Sequence, residues 1–355
     1  MNRRIAWIDY CKAFAICLVI IGHILMSTSS SNSHIDNMIM VMIYSFHMPL
    51  FFMLSGLVFR KNGFVEGLKK KFVRLMIPYL VFCFMEFCFK LIFYSLWDQK
   101  RVVEYIDSFT KERIIDSILM NSSSAFSGYW FLPVLFCSSI LLTILLKIDN
   151  HVYEFLFMLV GILVAIRLSL YNVRLPLGLG EALLAVPFLY IGFKEKESGY
   201  SRLKKTWVFI ITIFGYISTI AYWKYMDYGI ADMHNSAIRN PLAFYILGLC
   251  GGYITMFGIK WISSITLPPI HTWHLLMDKF CEYIGANSLY IYGIHYMLLE
   301  IWVTLFLYFQ FNGNRGGIIS FRFLGFAIIL LGCSIIIIFA ECIQHRYKRK
   351  KNQPK

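Results

Sequence analysis

Charge is what this sequence has least of. Asp, Glu, Lys and Arg make up 15% of its 355 residues, 58% are hydrophobic, and the mean hydropathy is +0.63. A soluble chain of this length needs far more polar surface. Polar stretches are equally scarce: the longest lie near 97–128 and 259–284, leaving no room for a soluble domain. There is no Cys-x-x-Cys pair. The nine cysteines sit mostly inside apolar segments and read as small core hydrophobes, not as a disulfide frame or a metal site. No internal repeat is visible, which weighs against a transporter built from inverted repeats. The first apolar run lacks a small-residue cleavage site after its core, so it is expected to stay as a membrane span.

What is there is a series of apolar runs of about 20 residues, the length that crosses a bilayer as a helix. The pattern predicts an all-α, polytopic membrane helical bundle of about ten transmembrane helices. The expected spans are 6–27, 37–59, 75–96, 129–147, 153–171, 179–194, 206–225, 240–258, 286–309 and 318–341. The sixth is short and holds Pro187, which suggests a kink or a partly re-entrant segment. The formal net charge of +14 does not point to nucleic acid, because the basic residues cluster in alternate loops. Arg60, Lys61, Lys69, Lys70, Lys71 and Arg74 form one group. Lys194, Lys196, Arg202, Lys204 and Lys205 form a second, and the end of the chain from Arg346 a third. The loops near 97–128 and 226–238 are neutral to acidic. This is the positive-inside pattern, and it puts both termini in the cytoplasm. Residues 1–345 are then one transmembrane domain and 346–355 a basic cytoplasmic tail. Pro268-Pro269, Trp261 and Trp273 mark 259–284 as an interfacial stretch on the cytoplasmic side. Segment 97–128, punctuated by Asp107-Ser108 and Asn121-Ser122-Ser123-Ser124, is expected outside.

The first span carries Asp9, Lys12 and His23. Eleven residues at about 100° each bring Lys12 and His23 to within roughly 20° of one helix face, about 16 Å apart along the axis. A charge inside a bilayer is costly unless it faces a polar cavity or a partner. One reading has Asp9 and Lys12 neutralise each other near the inner interface, with His23 a packed polar residue. The other has a polar path, with an anionic donor held near Lys12 and a proton taken by His23, whose ordinary pKa lies near neutrality.

The second span holds His47, Pro49, Ser55 and Gly56. Proline frees a backbone carbonyl, and His47 is either its partner or a site residue. Ser55-Gly56 suits close helix packing, with a substrate contact by Ser55 as the alternative. Lys71 and Arg74 are three apart on a helix entering the membrane, so they either set topology or hold phosphate groups. Glu86 and Lys90, four apart in the third span, are expected to pair. Arg167 and Arg174 approach the outer end of the fifth span. Glu181 is either an acceptor-side carboxylate or a helix N-terminal charge. Arg239 stands at the outer entrance of the eighth span. His295 and Glu300, five apart, fall on different faces.

Several of these residues fall within motifs. Ile8-Asp9, Lys12 and His23 are similar to an Arg/Lys-x10-His first span. Phe46-His47-Met48-Pro49-Leu50-Phe51-Phe52 through Ser55-Gly56 is similar to a second-span signature. Lys71-Phe72-Val73-Arg74 matches an Arg-x-x-Arg loop with lysine first, and Tyr129-Trp130-Phe131-Leu132 a Trp-Phe-Leu span. Gly285-Ala286-Asn287-Ser288-Leu289-Tyr290-Ile291-Tyr292-Gly293-Ile294-His295 matches a late Ser-Leu-x-Ile-Tyr-x-x-His segment. In this order, and over most of the chain, they resemble the acyltransferase-3 family of integral membrane O-acyltransferases, near its sugar O-acetyltransferase branch. Two features depart from the family. Pro133-Val134-Leu135-Phe136 offers no acidic residue after the tryptophan motif, and there is no C-terminal esterase-like domain.

The resemblance implies ten spans with cytoplasmic ends and an acyl-coenzyme A donor, usually acetyl-CoA. The acceptor hydroxyl belongs to a cell-envelope glycan or lipid-linked sugar, with the lipid bilayer as surroundings in a bacterial cytoplasmic membrane. No bound cofactor, metal or nucleic acid is expected. His23 is the candidate catalytic residue, and Lys12, Lys71 and Arg74 are candidates for donor binding. Asp9, His47, Ser55, Trp130, Glu181 and His295 are candidate cavity residues. An acyl-histidine intermediate on His23 is the alternative chemistry. A multi-pass exporter, with His23, Glu86 and Glu181 lining a path, is the alternative class.

Overall fold

The computed structural model describes residues 5–29, 33–61, 63–97, 99–119, 128–234, 238–264, 272–309 and 315–351. The chain order is α1 (Ala6–Thr28), α2 (His34–Leu57), α3 (Phe64–Lys71), a π-helical segment (Phe72–Met76), α4 (Ile77–Trp97), α5 (Gln99–Ser108) and α6 (Lys111–Ile118). There follow α7 (Phe131–Leu145), α8 (His151–Leu170), α9 (Leu179–Glu197), α10 (Thr206–Tyr225) and α11 (Pro241–Ser264). The last are α12 (Thr272–Ala286), α13 (Ser288–Phe309) and α14 (Arg315–Lys351). Among the described residues nine helices are long and apolar enough to cross a membrane. The expected fourth span is α7, apolar but only 15 residues long. At 1.5 Å per residue it covers about 22 Å, less than the hydrocarbon thickness of about 30 Å. The protein is thus an all-helical, multi-span membrane protein.

Three sequence expectations change in detail. The sixth span is not short: α9 runs for 19 residues with Pro187 inside it. Segment 97–128 is not mere connection, since it forms α5 and α6. Thr110 caps α6 by accepting a hydrogen bond from the Arg113 backbone N–H at 3.3 Å. The stretch 259–284 divides between the end of α11 and most of α12. Pro268-Pro269 and Asn121 to Ser124 lie outside the described residues. The basic end continues α14 as helix to Lys351.

The chain forms two compact units. The first holds residues 1–36 and 262–355, with α1, α12, α13 and α14. Gly285 on α12 abuts the Asp9 backbone of α1, an approach that leaves no room for a Cβ. Trp302 on α13 stacks on Phe321 of α14 at 4.1 Å. Arg322 on α14 closes the far end. Its two terminal nitrogens each donate to a carboxylate oxygen of Asp36 at 2.9 Å, while Nε donates to the Thr28 hydroxyl at 2.8 Å. One terminal nitrogen also donates to the Thr28 carbonyl at 2.9 Å, a group that the end of α1 leaves without a helical partner.

The second unit, residues 37–261, packs α2, α7, α9 and α11 around Leu50, Phe52, Met53, Leu132, Phe188 and Phe244. Small residues set its geometry. Gly56 lies against the Leu189 carbonyl and Gly192 against the Met53 carbonyl, so α2 and α9 cross backbone to backbone. Gly248 and Gly251 let α11 close on Phe188, Pro49 and Phe46 in the same way. Gly56 therefore serves the packing role expected of Ser55-Gly56. Many side chains of α8 and α10 face outward, as lipid contacts require.

Gly192→Leu is expected to abolish the monodisperse peak in fluorescence size-exclusion chromatography, because its side chain meets backbone that cannot yield. Gly258→Leu, at a position with open space, is expected to leave that peak intact.

Candidate functional site

In the first unit, α1 brings up His23 and α13 brings up His295 and Tyr296. Tyr292, His295 and Tyr296 share one α13 face by their three- and four-residue spacing. The Tyr296 hydroxyl and His23 Nε2 are hydrogen bonded at 2.9 Å. The His23 and His295 rings lie 5.5 Å apart, and His295 and Tyr296 4.3 Å apart. His295 is fully buried, and its Nδ1 donates to the Tyr292 carbonyl at 2.8 Å. In the neutral ring, Nε2 then holds a lone pair. That atom is buried and has no hydrogen-bond partner. Toward the other end of α1, Lys12 pairs with the buried Asp9 at 3.1 Å. The pair neutralises the rung, yet leaves the lysine side chain 24% exposed.

A second cluster gathers at the end of the second unit away from its basic loops. Trp130 precedes α7, and its ring stacks on His234 at 5.4 Å and 28°. His234 belongs to the 226–240 connection, which turns tightly through left-handed Asp227 (φ 49°) and Gly229 (φ 71°). Trp223 fastens the turn by donating from Nε1 to the Gly229 carbonyl at 2.7 Å. Asp232 Oδ1 accepts from the His234 backbone N–H at 2.9 Å. The Asp232 carboxylate also lies within electrostatic range of Glu181, His47 and Tyr44. Glu181 is buried in the first turn of α9, where the helix dipole favours a carboxylate. The exposed Arg174 is within range of Glu181 and His234. His47 is buried, and its Nδ1 donates to the Ile43 carbonyl at 2.8 Å, not to the Ser45 carbonyl that Pro49 frees. Both ring nitrogens of His234 are buried without a hydrogen-bond partner. Burial pushes this imidazole down to about 4, with Arg174 adding to the fall and Asp232 opposing it.

At the opposite end of this unit the two expected phosphate ligands lie at the π-helical segment, Lys71 just before it and Arg74 within it. Lys71 Nζ donates to the Ser139 carbonyl and to the Thr143 hydroxyl, both at 3.1 Å, and sits 4.1 Å over the Phe59 ring. Arg74 is exposed. Lys196 donates to the Phe59 carbonyl at 2.5 Å, so two cations meet at one residue. Ser55 is half-buried beside Gly56.

Sequence reasoning named His23, His295, His47, Trp130 and Glu181, and the structure gathers them into two clusters. It missed Tyr296, Asp232 and His234. Tyr296 directly follows His295, one turn beyond Tyr292, and that spacing was the available signal. Asp232 and His234 carry none, because the connection reads only as polar and non-basic.

The fold thus defines a multi-span, all-helical membrane protein in which each unit holds a histidine cluster. The family model described as an acyltransferase domain matches residues 5–339, nearly the whole chain. The chain belongs to this acyltransferase family. It is 30% identical over 151 residues to nodulation protein NolL of Mesorhizobium japonicum, a stretch covering 41% of this chain and 36% of that protein. The chain thus aligns with about a third of that relative's length. No solved structure matches it.

His234 gives a pH prediction. The folded protein keeps this ring neutral down to about pH 4, whereas the unfolded chain takes up a proton near 6.5. Between those values the unfolded state binds more protons, so stability is lost as pH falls through the window and is unaffected above it. The thermal midpoint in detergent is expected to drop between pH 6.5 and 4.5, and to drop less in His234→Phe.

Proposed function

We propose that this acyltransferase moves an acetyl group from acetyl-CoA to a hydroxyl of a cell-envelope glycan or lipid-linked sugar, with His23 as general base. The observation that carries this reading is the His23–Tyr296 hydrogen bond beside the buried His295. A base needs a fixed ring and a partner that a substrate can replace. The tyrosine hydroxyl fits that place, because an acceptor hydroxyl makes the same hydrogen bond to Nε2.

The chemistry then balances. His23 takes the hydroxyl proton as the oxygen attacks the thioester carbonyl. The tetrahedral intermediate collapses by breaking the carbon–sulfur bond, and the imidazolium returns its proton to the coenzyme A thiolate. Lys12, about 16 Å along α1 from His23, is suited to the donor's anionic part, since its side chain stays partly exposed beside Asp9. A pantetheine arm on the order of 15–20 Å, judged by extended-chain reach, covers that distance. Lys71 and Arg74 in the second unit add positive charge that attracts a polyanion. The alternation of basic loops supports a cytoplasmic donor side, and a bacterial cytoplasmic membrane fits the envelope acceptor.

The test uses membranes containing the protein, acetyl-labelled coenzyme A and an envelope-glycan extract. His23→Ala is expected to lower hydroxyl acetylation by at least about a hundredfold at unchanged protein level, the usual share of a general base. Tyr296→Phe, which keeps the ring and loses the hydroxyl, is expected to cost about tenfold, as loss of a residue that orients the base. Wild-type rates in His23→Ala would sink the reading. An acetylated His23 peptide in a quenched reaction would replace general-base chemistry with an acyl-enzyme.

A further inference from the structure

We infer that Trp130, Asp232, His234 and Glu181 form a saccharide-binding subsite in the second unit. The inference rests on the proposed function only in taking the acceptor to be a sugar; the chemistry of the subsite is argued from its own residues.

His234 is the starting point. Its ring lies against the Trp130 indole at 5.4 Å, and both of its nitrogens are buried with no hydrogen-bond partner. A neutral imidazole offers one N–H and one lone pair. A group that satisfies both must donate and accept, as a hydroxyl does. An amide or carboxylate on a neighbouring residue would have served, yet among the described residues none hydrogen-bonds to those atoms. The stretch before His234 is tied down all the same, by Trp223 donating to the Gly229 carbonyl and by Asp232 Oδ1, which accepts from the His234 backbone N–H at 2.9 Å. The unpartnered ring is therefore carried on an anchored stretch of chain.

The surrounding groups specify the ligand further. Asp232 and Glu181 are acceptor-only when ionised, and hydroxyl donors suit them. His47, with Nδ1 donated to Ile43, presents Nε2 as a further acceptor within range of Asp232. Two carboxylates repel a phosphate, so a phospholipid headgroup or an inorganic anion is disfavoured in spite of Arg174 at the rim. An aromatic ring beside several hydroxyl acceptors matches a pyranose, which carries an apolar C–H face and a rim of hydroxyls. Water would satisfy one hydroxyl's worth of bonds, whereas the indole face has no use for it.

The experiment places the full chain in phospholipid nanodiscs, free of glycosidic detergent and of any acyl donor. Saturation-transfer difference NMR is recorded with the methyl glycosides of glucose, galactose, mannose, N-acetylglucosamine and fucose. Wild-type protein is expected to saturate at least one glycoside. The signal is expected to fall at least fivefold in His234→Phe, which keeps a stacking ring but loses both nitrogens, and in Asp232→Asn. No transfer to any glycoside, or an unchanged signal in both variants, overturns the inference. Should the variants misfold, a diazirine derivative of the bound glycoside is crosslinked to wild-type protein. Labelling of Trp130 or of the 226–240 peptide supports the subsite, and labelling confined elsewhere overturns it. Binding is read without donor, so its failure is distinct from a failure of acetyl transfer.

Discussion

Hydrocarbon offers no hydrogen bonds, and every polar group placed in it must find a partner within the protein. That constraint orders most of this structure. Glu86 accepts Lys90 at 2.7 Å, Asp9 accepts Lys12, and Arg322 forks onto Asp36. Lys71 meets a carbonyl, a hydroxyl and an aromatic face in place of a carboxylate. Buried Glu195 accepts from the backbone N–H groups of Arg202 and Leu203 and from the Tyr253 hydroxyl, which fastens the turn between α9 and α10. Bonds of this sort tie helices whose apolar faces gain little from leaving lipid for one another.

Against that background the incomplete sites are informative. Two buried histidines keep ring nitrogens unmatched, His295 in the first unit and His234 in the second. Functional sites are where local rules are broken. Each gap stands beside aromatic rings, Tyr296 in one case and Trp130 in the other, which hold the imidazole in place by packing. Each unit thus carries one histidine cluster, and the two differ in chemistry. The first joins two imidazoles and a phenol. The second is ringed by Asp232 and Glu181.

The span pattern was legible because a bilayer imposes a fixed length on apolar runs, and nine of the helices meet it directly. The pairs Asp9–Lys12 and Glu86–Lys90 were legible because helical periodicity alone sets their distance. The crossing at Gly56 was legible on one side only, since nothing in sequence says which helix a small residue will meet. Tyr296 and the Asp232–His234 pair were not legible, because their partners lie 273 residues away in one case and on three separate segments in the other. The π-helical segment after Lys71 was invisible for a related reason. It adjoins the contacts of Lys71 with α7, and those are tertiary.

The glycine crossing of α2 and α9 acts as a fulcrum. Gly56 and Gly192 sit near the basic ends of their helices, with no side chain between them to act as a cushion. His47 lies nine residues from Gly56 and Glu181 eleven from Gly192, arms of about 14 and 16 Å at 1.5 Å per residue. A rocking of about 5° at the crossing moves either residue by more than 1 Å, while the pivot itself barely shifts. Stiffness at one end of this helix pair is thus compatible with adjustable spacing at the other.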